Sequence, residues 1–298
     1  MNTKANLSVL YLLCMLSLSS CLAQSTSSIK TNSGEILVLS YNICWQCMTN
    51  TGSGSAAILG DSCVYSNLSY PTTTCAERMG KYVETIPANT GVANYEFVGL
   101  QEASKWQSIQ KLAPNTLGQL EFETSQSGYE TMVSFYDPKY TLLQAIKDEF
   151  AVGRPFQILI FKEDVIFINL HNDHSLQMPG IESALSQSLT NNLHPNINIQ
   201  DLTNDRIIVV GDFNFGGSGT VTMQPFSNTI VQTTCTLQNP AISCCDESVP
   251  TVHDPWHGFR SGDFIFDSKS VSNPVEPSKY DSTVALSDHL PVISLLAK

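Results

Sequence analysis

Short apolar runs rich in β-branched residues recur along this chain, and most of them stop on a polar or ionisable side chain. Residues 36–43, 97–100, 131–136, 156–161, 165–170, 207–210, 264–266 and 292–296 each have the length of a strand and are bounded by Gly, Pro, Asn or Asp. Between them, residues 76–86, 104–112 and 181–193 carry apolar side chains at helical spacing and contain no proline. The interleaving predicts a mixed α/β domain with more strands than helices. No internal repeat and no coiled-coil heptad interrupts it, and no linker is long enough to divide the 298 residues.

The first residues read as an address rather than as part of this fold. Lys4 is the sole charge ahead of an apolar run over residues 9–22, which ends in Cys21-Leu22-Ala23. A basic start, a short apolar middle and small residues at the end predict a secretory signal over residues 1–23. The run is shorter than the roughly 20 residues that cross a bilayer, so no stable membrane span is expected. The alternative is a bacterial lipobox, Leu18-Ser19-Ser20-Cys21, which would leave a lipid on Cys21. Residues 24–34 are Ser/Thr-rich and read as a loose leader. A chain that is 42% hydrophobic is too apolar for disorder. Its formal charge is −12, or −13 once Lys4 leaves with the signal. That balance argues against a protein that grips nucleic acid by charge alone, so phosphate chemistry would need a cation's help.

Export would also give the cysteines a meaning. Of nine, Cys14 and Cys21 leave with the signal, and Cys44, Cys47, Cys63, Cys75, Cys235, Cys244 and Cys245 remain as disulfide material in an oxidising compartment. The odd number leaves one thiol over. Cys44-x-x-Cys47 as a redox motif or half a zinc site is the weaker reading, because no second Cys-x-x-Cys follows. Asn67-Leu68-Ser69 is a glycosylation sequon, of use in a eukaryotic host.

The chemistry sits where the apolar runs stop. The first run delivers Asn42, the second Glu102, a later one Asn169 and His171. Ile-Ile-Val-Val-Gly-Asp-Phe-Asn delivers Asp212 and Asn214, and Leu-Ser-Asp-His-Leu-Pro-Val presents Asp288 and His289 just before the last. Carboxylates and imidazoles placed directly after buried strands can be held rigidly at one edge of a sheet. Singly, each has a plainer reading: a turn cap, a solvated helix start, a hydrogen-bonded core histidine. Together and in this order they point to a site.

From residue 36 to its C-terminus the chain resembles the endonuclease/exonuclease/phosphatase superfamily, typified by deoxyribonuclease I. The most specific matches are Gly211-Asp212-Phe213-Asn214 and Ser287-Asp288-His289-Leu290-Pro291-Val292. Tyr41-Asn42, Gln101-Glu102 and Asn169-Leu170-His171 fall in the family's order, and Asp263 matches the aspartate that orients the last histidine. The resemblance implies an α/β fold over residues 35–298, a four-layer α/β/β/α sandwich with two packed mixed β-sheets. It also implies a site at their shared edge.

Phosphodiester cleavage sets a demanding task, since the phosphate repels hydroxide and the alkoxide leaves poorly. Mg²⁺, or Mn²⁺, held by hard oxygen ligands offsets both difficulties. The expected metal ligands are Glu102, with Asn42 beside it and Asp288 directly or through water. Asp212, next to Asn214, is placed to deprotonate the attacking water. His289, oriented by Asp263, would face a phosphate oxygen, and His171 the leaving oxygen. Arg154, in Gly153-Arg154-Pro155, is a candidate phosphate contact with a surface ion pair as the plainer reading; Asn169 is a further candidate contact. His174 and His257 are placed at the edge of the site or on a packed loop.

The leading expectation is thus a secreted, monomeric, metal-dependent hydrolase of phosphate esters, an endonuclease acting on DNA. A phosphomonoesterase or lipid phosphodiesterase of the phosphoinositide phosphatase or sphingomyelinase type is the alternative on the same site, although no Trp/Phe-rich insertion marks a lipid enzyme. A non-catalytic binding module would be expected to have lost a catalytic position, and none is missing.

Overall fold

The computed structural model describes residues 34–45, 72–197, 202, 205–214, 223, 252–254, 258–260, 262–269, 273–274, 287, 289 and 291–298. The expected signal and most of the leader lie outside these residues. So do the sequon at Asn67, His257, Asp288, and the side chains of Cys47, Cys63, Cys75, Cys235, Cys244 and Cys245. Cys44 is buried and disulfide-bonded.

Two mixed sheets pack face to face. The first has six strands in the order β12 (Asn273–Pro274), β13 (Val292–Ala297), β1 (Glu35–Asn42), β2 (Phe97–Gln101), β4 (Glu130–Tyr136) and β3 (Glu121–Ser127). The second has five: β11 (Asp263–Asp267), β8 (Arg206–Asp212), β7 (Val165–His171), β6 (Arg154–Phe161) and β5 (Leu142–Ala151). A small hairpin of β9 (Val252–Asp254) and β10 (Gly258–Arg260) stands apart. Helices α1 (Thr72–Thr90) and α2 (Trp106–Lys111) cover the first sheet, and α3 (Met178–Asn192) covers the second. This is the four-layer sandwich expected from the sequence.

Strand periodicity builds the layers. In β1, Ile36 and Val38 enter the core shared by the two sheets, whereas Leu37, Leu39 and Tyr41 pack toward α1 and α2. Ala76, Met79, Val83 and Ile86 recur at helical spacing and form the buried stripe of α1. Ile181, Leu185 and Leu189 do the same for α3. Phe97 ties the sheets together, its ring 5.0 Å from Phe167 and 5.7 Å from Phe161. Beside that aromatic cluster, a methyl added to Gly99 would meet Val210 Cγ2 at 2.4 Å and Asn169 Oδ1 at 2.8 Å, so glycine lets the sheets approach.

Three differences from the sequence reading have physical causes. The polar strands β3 and β5 escape an apolar search because they are the edge strands of their sheets, where charged side chains suit a solvent-facing rim. Helix α1 continues past the expected end at residue 86 and takes Pro87 into its last turn. Glu130 is the first residue of β4, one before the predicted start. Among the described residues, no helix is long and apolar enough to cross a membrane.

Topology brings the chemistry to one edge. β1 and β2 run parallel, as do β7 and β8, so their carboxyl ends lie side by side, with Asn42 opposite Gln101 and His171 opposite Asp212. The antiparallel neighbours begin where those strands finish. β4 starts at Glu130, β6 at Arg154 and β11 at Asp263, which faces Asp212 across the ladder. His289 lies just before β13.

Candidate active site

Asp212 stands at the centre, buried, with an imidazole on either side of one carboxylate oxygen. His171 Nε2 lies 3.5 Å and His289 Nε2 3.7 Å from Asp212 Oδ2. Each imidazole is gripped from behind by its own carboxylate. His171 Nδ1 lies 2.5 Å from Glu130 Oε2, and His289 Nδ1 lies 2.9 Å from Asp263 Oδ2. Nδ1–H facing a carboxylate turns Nε2 toward the centre in both rings, the arrangement that fixes a tautomer.

Asn42 links the carboxylates across the sheets. Its Nδ2 donates to Asp212 Oδ2 at 3.0 Å and to Glu102 Oε1 at 3.1 Å, while its Oδ1 accepts the Cys44 N–H at 3.0 Å. The donor end therefore faces the acids, and Asn42 holds the two carboxylates together. Glu102 Oε2 accepts the Trp45 N–H at 3.0 Å. Cys44, Glu102 and Asn214 all have φ between 52° and 55°, a conformation that non-glycine residues take at some cost and keep where their surroundings enforce it. Asn214 N–H donates to Asp212 Oδ1 at 2.8 Å, and its side chain donates to the Asn172 carbonyl at 3.0 Å. Gly211 permits the bend before Asp212. Its φ is +152°, and a methyl there would stand 2.0 Å from the Leu170 carbonyl oxygen.

The charges oppose one another in an ordered way. Burial by itself raises the pKa of Asp212, but His289 and His171 beside it, with hydrogen bonds from Asn42 and Asn214, hold it below the usual carboxylate range. Burial pulls His171 down. The Glu130 carboxylate and its hydrogen bond, aided by Asp212 and Glu102, outweigh that and raise it above the ordinary imidazole value. Arg154 Nη1 donates to Glu130 Oε1 at 2.9 Å and to His171 Nε2 at 2.7 Å. It thereby caps the nitrogen that must carry a proton when the ring is charged.

Most of the predicted residues meet here: Asn42, Glu102, His171, Asp212, Asn214, Asp263 and His289, with Arg154 as an ion pair inside the site rather than on the open surface. Asp288 lies outside the described residues; its neighbour Ser287 fastens the His289 segment, donating to the Asn42 carbonyl at 2.7 Å and accepting the His289 N–H at 3.1 Å. Asn169 is fully buried between the sheets, donates to the Val133 carbonyl at 3.0 Å and accepts from Gln101 Nε2 at 2.7 Å, so it supports the strand ends from behind the site. His174 is exposed. Glu130 was missed by the sequence reading. Its signal was topological: a strand antiparallel to β2 must begin at the edge where β2 ends.

Among the described residues, two groups could take a cation. Glu102, Glu130 and His171 bring ligand atoms within 4.8 Å of one another, as do Asp212, Asp263 and His289. Each has two carboxylates and an imidazole, with one carboxylate, Glu130 or Asp263, already holding its histidine. In the first, Glu102 is partly exposed where Asp212 of the second is buried, which makes Glu102 the more accessible oxygen donor for a hard divalent ion.

Comparison with known proteins agrees with the fold. No family model matches the chain. An uncharacterized protein, L684, of Acanthamoeba polyphaga mimivirus is 32% identical over 147 residues, 48% of this chain and 28% of the viral protein. The match thus spans under a third of that relative's length. Among solved structures, ANGEL2, a 2',3'-cyclic phosphatase, superposes with a TM-score of 0.59 at 12% identity, covering 88% of this chain and 95% of that one. An endonuclease/exonuclease/phosphatase from Bacteroides vulgatus gives 0.52 at 15% identity, over 89% and 99%. Truncated Caenorhabditis elegans TDP2 gives 0.51 at 15%, over 89% and 98%. The chain has the fold of the endonuclease/exonuclease/phosphatase superfamily.

Proposed function

We propose that this chain is a divalent-metal-dependent phosphodiesterase whose substrate is nucleic acid, DNA first. The observation that carries the proposal is the pair of His–carboxylate dyads, Glu130–His171 and Asp263–His289, converging on one buried aspartate. A lone dyad is common in protein interiors. Two that aim Nε2 at the same oxygen place proton donors and an acceptor around one reacting centre.

Glu102 would hold the cation, with Glu130 beside it, and Mg²⁺ or Mn²⁺ fits these oxygen donors. When bound, such an ion neutralises phosphate charge and eases loss of the alkoxide. The remaining steps fall to the protein. Asp212 is ionised at neutral pH, so its Oδ2 can accept the proton of an attacking water. His289 Nε2 donates to a phosphoryl oxygen while Asp263 holds the ring. His171 Nε2 protonates the leaving oxygen. It can do so once Arg154 moves from the ring to the incoming phosphate, which guanidinium binds well. Asn42 keeps Glu102 and Asp212 in register through all of this. Expected export through residues 1–23 is part of the same proposal, and N-terminal sequencing of protein from the culture medium tests it.

The substrate test is a side-by-side screen of purified protein with Mg²⁺ and with Mn²⁺ on single-stranded DNA, plasmid DNA, RNA, sphingomyelin and phosphoinositides. Cleavage of nucleic acid, lost in EDTA, is the expected result. Turnover of a lipid with every nucleic acid intact would replace the reading with the lipid alternative. Absence of hydrolysis under all metals would contradict the enzyme itself.

A further inference from the structure

A small apolar ledge stands at the lip of the site, and none of the steps above uses it. Tyr129 occupies the tip of the β3–β4 hairpin and is 82% exposed, as is Val152 at the tip of β5–β6. The tips belong to different sheets yet lie together. Gly153 N–H donates to Ser127 Oγ at 2.7 Å, and a methyl on Gly128 would stand 3.6 Å from Val152 Cγ1. The Tyr129 ring lies alongside Trp45, with centroids 6.1 Å apart and planes within 14°.

Both rings are anchored to the chemistry through their own backbones. Tyr129 immediately precedes Glu130, the partner of His171, and the Trp45 N–H holds Glu102. An aromatic pair therefore flanks the place a scissile phosphate would take. The chain's charge of −12 gives no general grip on a polyanion, so affinity for a nucleic acid must come from another source. Stacking is that source in proteins that bind unpaired strands, and it tolerates any base because every base has a π-face.

We propose, on the phosphodiesterase reading above, that Tyr129 and Trp45 form a stacking platform for an unpaired nucleobase next to the scissile phosphate. The substrate is then single-stranded or frayed nucleic acid rather than duplex interior, where each base face is already occupied by its neighbours. The surrounding charge disfavours a lipid surface as the occupant. The hairpins carry Glu121, Glu123, Glu130, Asp148 and Glu149 against Lys147 and Arg154. A leaflet of anionic headgroups laid across both tips is therefore opposed along its whole face, whereas a single strand need meet the ledge at one uncharged base.

The test compares two oligomers of equal length with Mg²⁺: single-stranded thymidylate, and a chain of abasic tetrahydrofuran phosphates. Wild-type protein should cleave the base-bearing oligomer faster by roughly tenfold to a hundredfold, the range that stacking of one base supplies. Tyr129→Ala should bring the ratio close to one, and Tyr129→Phe should retain it. Leu143→Ala, an exposed apolar residue of β5 away from the ledge, should leave the ratio as in wild type. A wild-type ratio near one, or a Tyr129→Ala ratio equal to wild type, overturns the platform. Binding of both oligomers in Ca²⁺, read by fluorescence anisotropy, gives the same ratio without turnover. Failure to cleave either oligomer then counts against the phosphodiesterase reading, while the binding ratio still decides the platform. Sedimentation with phosphatidylcholine–phosphatidylserine vesicles that Tyr129→Ala abolishes would overturn the proposal in favour of a lipid surface.

Discussion

Replacing Glu130 by Gln should separate the electrostatic role of the first dyad from its packing role, because the amide keeps the shape and an acceptor oxygen but loses the charge. The His171 side chain is 1% exposed and that of Glu130 10%, so their contact is little screened by water. A hydrogen bond to a charged partner is worth about 1.5–3 kcal/mol, against about 0.5–1.5 kcal/mol for a neutral one. The raised pKa of His171 in the folded protein fixes the sign. Below the unfolded value, near ~6.5, the ring is charged in both states, and with Arg154 turned away from the protonated Nε2 the folded state gains the full ion pair. As pH rises through the folded pKa the proton leaves and that gain disappears. Wild type should therefore exceed Glu130→Gln by about 1.5–3 kcal/mol at low pH, with the gap narrowing as pH rises. The half-buried Arg154 also loses its partner Glu130, which adds a pH-independent offset of about 0–1 kcal/mol. Urea unfolding of both proteins at several pH values measures the gap. A gap that stays constant, or widens with pH, would refute an imidazolium stabilised by Glu130.

The other perturbations test different parts of the site. Asp212→Asn should lower kcat by about 10²- to 10⁴-fold, the usual contribution of a positioned base, while melting close to wild type by circular dichroism. Collapse of the fold would instead make Asp212 a structural residue. Asn42→Ala removes the donor shared by Glu102 and Asp212 and should raise the Mg²⁺ needed for half-maximal activity by about 10- to 100-fold, read from a metal titration. Gly211→Ala forces a methyl against the Leu170 carbonyl and should cost several kcal/mol, on the order of the largest single-site effects, visible as a steep fall in Tm.

How much of this was legible in the sequence follows from what each element does. Buried central strands such as β1, β7 and β8 announce themselves because both faces are covered, which demands an unbroken apolar run. Edge strands β3 and β5 meet water and carry Glu, Lys and Asp, so nothing in their composition separates them from loops. The same logic divides the site. Asn42, Glu102, His171 and Asp212 sit at or just beyond the ends of apolar runs and could be read directly. Glu130 begins a strand, and its role appears only when β4 is paired antiparallel to β2. Asn169 shows why position along a run is not enough. It lies two residues before His171, on a strand that is buried along its whole length, and its amide crosses to Gln101 instead of reaching the edge. Sequence order showed which strand ends assemble; the direction in which Asn42 turns its amide needed the folded chain.

The central claim is that the two dyads and Asp212 form one metal-assisted site for phosphodiester hydrolysis. It is tested most directly with bis-(p-nitrophenyl) phosphate and three proteins, wild type, His171→Ala and His289→Ala, each with Mg²⁺, with Mn²⁺ and with EDTA. Wild type should release nitrophenol with metal and stop in EDTA. His289→Ala should be slower by about 10²-fold or more, whereas His171→Ala should lose far less, because nitrophenolate leaves without needing a proton; both should unfold at the wild-type urea concentration. Wild-type turnover retained by folded His289→Ala, or unaffected by EDTA, would contradict the account.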